Sequence, residues 1–200
     1  MTSRTNPHPQ MQHPFPPRGA RALPVVRAGG LVLLPTATQW QVVTCATIPT
    51  AVARLLTVCP PGTHNRPELL FADTTSLMKW CPRVHPRLFT LLAYHRRPLT
   101  VMVPAGARVP LPLVDERGEV AVRLAQDSFC YRLCEDLDAP LLATAAVGPG
   151  GAETPVSFGK VRCDVIRAVE HTVRRRQRDV LAAHPPLAAR LGHNGELDFL

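Results

Sequence analysis

The chain has 200 residues, of which 46% are hydrophobic, and this composition indicates one folded domain rather than a disordered chain. No apolar run approaches the roughly 20 residues of a membrane helix, and the N-terminal segment lacks the apolar stretch of a signal peptide, so we expect a cytoplasmic protein without a membrane partner. The net charge of +8 favours acidic partners such as RNA, DNA or phosphorylated small molecules, although an arginine-rich genome would produce the same excess.

Residues 1–21 are predicted to form a disordered tail, because the segment is rich in proline and histidine and has no hydrophobic period. The main domain is expected over residues 22–184. Its first part contains a turn at 35–40, with the hydroxyls of Thr36 and Thr38, and a polar loop at 63–67. The predicted strands lie at 31–34, 69–72 and 98–104, and the predicted helices lie at 49–58, 74–80 and 86–94.

The central stretch of the chain is predicted to contain a strand at 119–124, a helix at 126–138 and a second strand at 141–147. Pro140 ends the helix, because the residue before a proline avoids helical dihedrals. This order is typical of a right-handed crossover between two parallel strands, with a ligand site beyond their carboxyl ends. The glycine-rich segment 148–151 then lies where a site is expected, and a simple turn is the alternative.

The C-terminal part has a helical stripe of Val and Ile that predicts a helix over 161–183, followed by a tail at 185–200 with a final strand at 196–200. Two basic stretches without acidic residues, 83–97 and 174–178, are candidate contacts for an acidic partner, although most charge runs are solvated helix faces. The six cysteines contain no CxxC spacing, so we expect buried free thiols and no metal site.

Four segments resemble, in order and spacing, the motifs of the YrdC/YciO family. Residues 29–38 (GGLVLLPTAT) are similar to the family's opening, which has two glycines, an apolar run and PTET. Residues 98–104 (PLTVMVP) and 120–124 (VAVRL) are similar to two of its strands, and residues 140–147 (PLLATAAV) stand where the family has TSAN. Active members of that family make threonylcarbamoyl-adenylate for the modification of tRNA.

The resemblance implies an α/β fold in which an open, twisted mixed sheet with flanking helices curls around a basic cavity. It also implies that threonine, bicarbonate and ATP meet in that cavity with Mg²⁺, and that pyrophosphate leaves when the carbamate attacks the α-phosphate. The residues that match the family's site, or stand in its place, are the candidates for binding a nucleotide: Thr36, Thr38, His64, Arg66, Arg123 and Thr144.

Several residues of the family's site are replaced in this chain. His64 stands where the family has a lysine near the arginine that corresponds to Arg66, and a neutral imidazole cannot replace a permanent cation. Ala145 and Val147 replace the Ser and Asn of TSAN, and Trp40-Gln41 replaces a Tyr-Gly pair. At about 1–3 kcal/mol for each missing hydrogen bond to the substrates, these changes predict an eroded catalytic site.

Three functions remain open at this point. The first is a divergent family member that binds nucleotide or double-stranded RNA in the basic cavity without making the adenylate. The second is a working threonylcarbamoyl-adenylate synthase, or a related ATP-using enzyme with rearranged site residues. The third is a structural or regulatory protein that uses the fold as a partner surface. No catalytic residue is assigned, and the sequence leaves the oligomeric state open.

Overall fold

The structure is a computed structural model, and it describes residues 21–62, 65–151, 153–181, 187–192 and 195–200. The predicted N-terminal tail, apart from its last residue, lies outside the described residues, and so does His64. No helix in these ranges is long and apolar enough to cross a membrane.

Within the described residues, nine strands form one mixed sheet, and it includes the five strands predicted at 31–34, 69–72, 98–104, 119–124 and 141–147. The strands are β1 (Val32–Pro35), β2 (Trp40–Cys45), β3 (Glu68–Phe71), β4 (Leu99–Pro104), β5 (Glu119–Leu124), β6 (Leu141–Ala145), β7 (His171–Thr172), β8 (Leu187–Leu191) and β9 (Leu197–Phe199). Across the sheet they lie in the order β7-β1-β2-β6-β3-β5-β4-β8-β9.

Helices flank the sheet on both faces. They are α1 (Ala22–Arg27), α2 (Pro49–Val58), α3 (Thr74–Trp80), α4 (Pro86–Tyr94), α5 (Ser128–Leu137) and α6 (Cys163–Ala168). Apolar residues of α2, α3, α4 and α6 lie in a core on one face, and those of α1 and α5 lie in a smaller core on the other face. The fold is therefore the α/β fold, with an open mixed sheet and flanking helices, that the sequence predicts.

The helix starts follow from signals in the sequence. Pro49 and Pro86 occupy the first positions of α2 and α4, where the missing N–H costs nothing. The Asp73 carboxylate accepts a hydrogen bond from the Ser76 N–H and caps α3. Asp127 caps α5 in the same way. These local signals are why α2, α3 and α4 begin at the predicted residues.

Alternate residues of a strand point to opposite faces of the sheet, and this alternation decides which residues reach the candidate site. Leu69 lies in the larger core, whereas its neighbour Leu70 lies in the smaller core with α1 and α5. Leu70 pairs in register with Arg123, so Arg123 points to the same face as Leu70. We call this surface the site face; by the strand registers it also carries Gln41, Glu68, Thr100 and Ala145.

The predicted crossover between parallel strands is wrong. β3 lies between β5 and β6, and it pairs in parallel with β5 but antiparallel with β6, so β5 and β6 run in opposite directions. The segment with α5 therefore leaves β5 and enters β6 at the same end of the sheet. The sequence pattern located the three elements but not their direction, because an amphipathic helix can serve either connection. The glycine turn after β6 consequently lies at the opposite end from the carboxyl ends of β3 and β5.

The predicted helix over 161–183 is wrong beyond its first turns, because α6 ends at Ala168 and the chain continues as β7. Backbone hydrogen bonds to β1 explain the difference. The Glu170 N–H donates to the Leu31 carbonyl at 3.0 Å, and the Val173 N–H donates to the Leu33 carbonyl at 2.8 Å. These long-range bonds complete the edge of the sheet and override the local helical period.

The C-terminal segment, expected to be a tail with one final strand, contributes two strands to the sheet. β8 pairs in parallel with β4, and β9, which corresponds to the predicted final strand, pairs antiparallel with β8. Ala189 of β8 is fully buried opposite Val101. The segment therefore covers an edge of β4 that would otherwise be open.

Candidate ligand-binding site

The tight hairpin between β1 and β2 brings Thr36 to the site face. The N–H and the hydroxyl of Thr36 both donate to the Gln39 carbonyl, at 2.9 and 2.8 Å, so the turn closes on itself. Thr36 and Arg123 border the same small cavity, which places these two predicted site residues together. The Thr38 hydroxyl is buried in this turn without a hydrogen-bond partner among the described residues, so it retains bonding capacity for a ligand.

Arg66 precedes β3 and lies at the border of the site face. Its neighbour Asn65 accepts a hydrogen bond from the Ala145 N–H at 2.9 Å, which ties this loop to β6. The exposed Arg66 guanidinium contacts the sulfur of Met102, 3.5 Å from Nη1. No carboxylate in the described part of the chain pairs with Arg66, so its charge is available to an anion.

Arg123 has the opposite surroundings, because its side chain is 5% exposed and its Nη2 lies 2.6 Å from Oε1 of Glu68. The same guanidinium nitrogen donates to the Gln41 side-chain oxygen at 2.9 Å. The Gln41 amide nitrogen donates to Oε1 of Glu68 at 2.8 Å, and the Thr100 hydroxyl donates to Oε2 of Glu68 at 2.7 Å. Four side chains from β2, β3, β4 and β5 thus form one buried polar network that occupies Arg123.

A second arginine on the site face is also neutralised by the chain itself. Arg190 of β8 lies 3.0 Å from the Asp115 carboxylate and 2.7 Å from the Glu119 carboxylate. Glu119 and Arg123 are four residues apart on β5, so their side chains share a face. Three carboxylates on or beside the site face, Glu68, Asp115 and Glu119, therefore balance its arginines, and the sheet surface itself is not basic.

Thr144 points away from the other predicted site residues. It pairs in register with Val42, whose side chain lies in the larger core, so the Thr144 hydroxyl lies on the face opposite Arg123. There it neighbours the Cys59 thiol, whose pKa is raised by burial although the Thr144 hydroxyl and nearby backbone oppose that change. Ala145 pairs with Gln41 and does face the site, and it presents only a methyl group where the resembled motif has a hydroxyl.

The chain after β7 passes beside the Thr36 turn. We call residues 173–181 the arginine segment. Nη1 of Arg176 donates to the Thr36 carbonyl at 3.1 Å, and Arg175 lies over the Phe129 ring, 5.4 Å from its centroid. Arg174 and Arg178 of this segment are exposed and have no ion-pair partner among the residues the structure describes. The predicted basic run thus borders the site, but as a segment of bends and turns rather than a helix.

The space between Thr36 and Arg123 is too small for a nucleotide. The cavity that these residues border has a volume of about 10 Å³, which suits a single water molecule. A larger cavity of about 270 Å³ lies past the carboxyl end of β3 and borders none of the predicted site residues. The described residues contain no group of three or more His, Cys, Asp or Glu that could hold a metal ion. A nucleotide therefore does not fit into the space between Thr36 and Arg123 as these residues stand.

Sequence reasoning missed the partners of the site arginines, namely Gln41, Glu68, Asp115, Glu119 and Arg190. Glu68 carried a signal that could have found it. It stands two residues before Leu70 in a strand of otherwise apolar residues, so its carboxylate had to be buried and paired.

Comparisons with known proteins identify the family of this chain and structures that share its fold. A model of the Sua5/YciO/YrdC family, described as telomere recombination, matches residues 24–180. The threonylcarbamoyl-AMP synthase of Halorhodospira halophila (strain DSM 244 / SL1) is 29% identical over 163 residues, which cover 78% of this chain and 81% of that protein.

Two solved structures share the fold. E. coli YciO superimposes with a TM-score of 0.76 at 19% identity, over 90% of this chain and 86% of that one. P. abyssi Sua5 complexed with L-threonine superimposes with a TM-score of 0.72 at 22% identity, over 86% of this chain, which thereby spans 50% of the Sua5 chain. Since the family match covers most of the described sheet and its helices, this chain belongs to the Sua5/YciO/YrdC family.

Proposed function

We propose that this chain is a cytoplasmic YrdC-like protein that binds the phosphates of RNA or of a nucleotide and makes little or no threonylcarbamoyl-adenylate. One observation carries the proposal: Arg123, a predicted nucleotide-binding residue inside the site, is bound by Glu68, whereas Arg66, Arg174 and Arg178 are exposed and unpaired among the described residues. Phosphate binding is thereby displaced from the interior of the site to its border.

The positions of these unpaired arginines suit an extended polyanion. The Thr36 turn, which the arginine segment contacts, and Arg66 lie two to three strands apart, roughly 10–14 Å at about 4.8 Å per strand. We call the three residues Arg66, Arg174 and Arg178 the arginine rim. Double-stranded RNA offers phosphates along such a surface, and A-form helices are recognised by shape and backbone rather than by sequence.

The loss of synthesis follows from missing donors. In the family's reaction ATP supplies the adenylyl group, and a site must provide cations and donors where charge develops. In this chain Ala145 and Val147 donate nothing through their side chains, and the guanidinium of Arg123 is already engaged. An active synthase that uses threonine, bicarbonate, ATP and Mg²⁺ remains the second candidate, because the curated relative with 29% identity is such a synthase.

RNA binding is tested with a short synthetic RNA duplex over a range of salt concentrations. We expect binding at low salt and a steep fall at moderate salt, because neutralised phosphates release counterions. Replacement of the arginine rim by glutamine (R66Q/R174Q/R178Q) should reduce the slope of log affinity against log salt by about 0.7–0.9 for each phosphate that the variant no longer neutralises.

The matched control is R108Q/R117Q/R132Q, which removes three exposed arginines outside the arginine rim and outside both basic stretches. An equal loss in both triple variants would place binding elsewhere on the surface. Absence of binding to RNA and to ATP at low salt would leave the fold as a partner surface and would overturn the proposal.

Synthesis is tested by pyrophosphate release with threonine, bicarbonate, Mg²⁺ and ATP, beside the synthase from H. halophila. We expect undetectable or very slow turnover by the wild-type chain, because the donors named above are missing. A gain in the triple variant A145S/V147N/H64K would support erosion at these positions. Wild-type turnover comparable to that of the synthase would show that the replaced residues are compensated, and the second candidate function would then be correct.

A further inference from the structure

The Glu68 carboxylate is bound in the way that proteins bind an anionic ligand. It receives a guanidinium from Arg123, an amide N–H from Gln41 and a hydroxyl from Thr100, at 2.6 to 2.8 Å. Charge-assisted donors of this kind are what a site offers to a ligand carboxylate or phosphate. All of the residues involved are at most 6% exposed. The chain therefore contains a complete anion-binding arrangement whose anion is its own side chain.

Glu68 and Gln41, the two acceptor residues of the network, explain why Arg123 is paired within the chain. Glu68 comes two residues after Arg66, so the strand that should deliver a ligand-binding arginine also delivers a competing carboxylate. Gln41 stands where the resembled motif has a glycine, and its amide bridges Glu68 and Arg123. A glycine at this position would leave space beside Arg123 and no bridge.

We propose that Glu68 determines the ligand class at Arg123 by acting as a built-in anion: phosphates and carboxylates are excluded from this position, and only a neutral group is accepted there. An incoming phosphate would be repelled by a carboxylate at contact distance in a buried setting, where such repulsion is strong. Removal of Glu68 turns Arg123 into a site for small anions. This inference rests on the proposed function only in assigning phosphate binding to the arginine rim and not to Arg123.

The test is the variant Glu68→Ala, which removes the carboxylate and leaves room for a small anion. Loss of one partner of a buried ion pair should lower the melting temperature by roughly 10 °C. Acetate and inorganic phosphate are the probes. We expect each anion to restore the melting temperature of the variant in a saturable way. The variant should bind each anion with an affinity at least about tenfold higher than the wild-type chain does, because a charge-assisted hydrogen bond contributes that much.

Three controls define the site. Glu68→Ala combined with Arg123→Gln should lose the anion-dependent recovery, because no guanidinium remains. Glu68→Gln fills the space without a charge and should gain no anion binding. Glu153→Ala removes an exposed carboxylate that pairs with Lys160 and reports the general effect of salt. Recovery that persists without Arg123, or a folded Glu68→Ala variant that binds acetate no better than the wild-type chain, would overturn the proposal.

If Glu68→Ala does not fold without added anion, Gln41→Ala tests the same idea with both charges retained. It removes the bridge between Glu68 and Arg123 but keeps their direct contact at 2.6 Å, so phosphate should bind no better than to the wild-type chain. Saturable phosphate binding by Gln41→Ala would contradict the proposal, because the carboxylate would then not exclude anions. RNA binding by the arginine rim is measured separately, so failure there would reject the proposed function without affecting the result at Arg123.

Discussion

Arg66 and Arg123 are the same residue type, and each matched a motif of the resembled family, yet the fold gives them different surroundings. An unpaired guanidinium in the interior costs several kcal/mol, so burial of Arg123 requires a partner such as Glu68. Arg66 is exposed and carries no such cost. Residue identity therefore made both arginines candidates for binding, but it did not predict which of them is paired within the chain.

Glu170 and His171, where the chain joins β1, both make the fold sensitive to acid. Burial raises the pKa of Glu170, but the Leu31 N–H, 2.6 Å from its Oε2, and the ion pair with Arg54 outweigh that effect and lower the pKa below its usual 4.5. The pKa of His171 is lowered from 6.5 by burial and by nearby arginines. In the unfolded chain both groups bind a proton more readily, so stability falls as the pH falls, first below 6.5 and then below 4.5.

We expect the melting temperature of the wild-type chain to fall from pH 7 to pH 4. Two variants should each remove one part of this pH dependence. His171→Asn should flatten the part near pH 6.5, and Glu170→Gln should flatten the part below pH 4.5. At pH 7 the Glu170→Gln change should cost about 1 kcal/mol, because its pair with Arg54 is partly exposed. Thermal unfolding followed by circular dichroism measures the melting temperature at each pH. If both variants showed the same pH profile as the wild-type chain, the roles assigned to His171 and Glu170 would be wrong.

At the scale of single elements, the sequence predicts what local chemistry determines. α2, α3 and α4 begin at their predicted residues because prolines and an aspartate fix where each helix starts. β2 was missed because all six of its residues are buried and the segment has no alternating pattern. β7 was assigned to a helix because the backbone hydrogen bonds on either side of it, from Glu170 and Val173, go to Leu31 and Leu33, far away in the sequence.

The same difference between local and long-range determinants applies to the candidate site. Strand alternation places Ala145 on the site face and Thr144 on the opposite face, which follows from the pairing of β6 with β2. A motif match takes both residues together, because it ignores alternation. The network of Glu68, Gln41 and Arg123 was beyond reach, since it depends on the strand order β2-β6-β3-β5, and that order includes the unpredicted β2 and a reversed β6.

For the molecule as a whole, net charge and local charge differ. The chain carries +8, yet the carboxylates Glu68, Asp115 and Glu119 neutralise arginines on the site face, and the arginine rim remains at its border. Charge excess supports an acidic partner but does not place it. The position of binding depends on which arginines the fold pairs internally, and this pairing extends to the C-terminal segment through Arg190.

The C-terminal strands are expected to be part of the folding unit. Deletion of residues 187–200 would expose the edge of β4, remove buried Ala189 and leave Asp115 and Glu119 without Arg190. We expect a loss of at least about 2 kcal/mol, equivalent to roughly 4–8 °C in melting temperature for a chain of this size, and self-association through the open edge. Thermal unfolding and size-exclusion chromatography measure both effects.

The control is Arg190→Gln, which removes the ion pairs but keeps both strands, and it should destabilise the chain less than the deletion does. A truncated chain that stays monomeric and has the melting temperature of the wild-type chain would show that the domain ends before β8, as the sequence predicted.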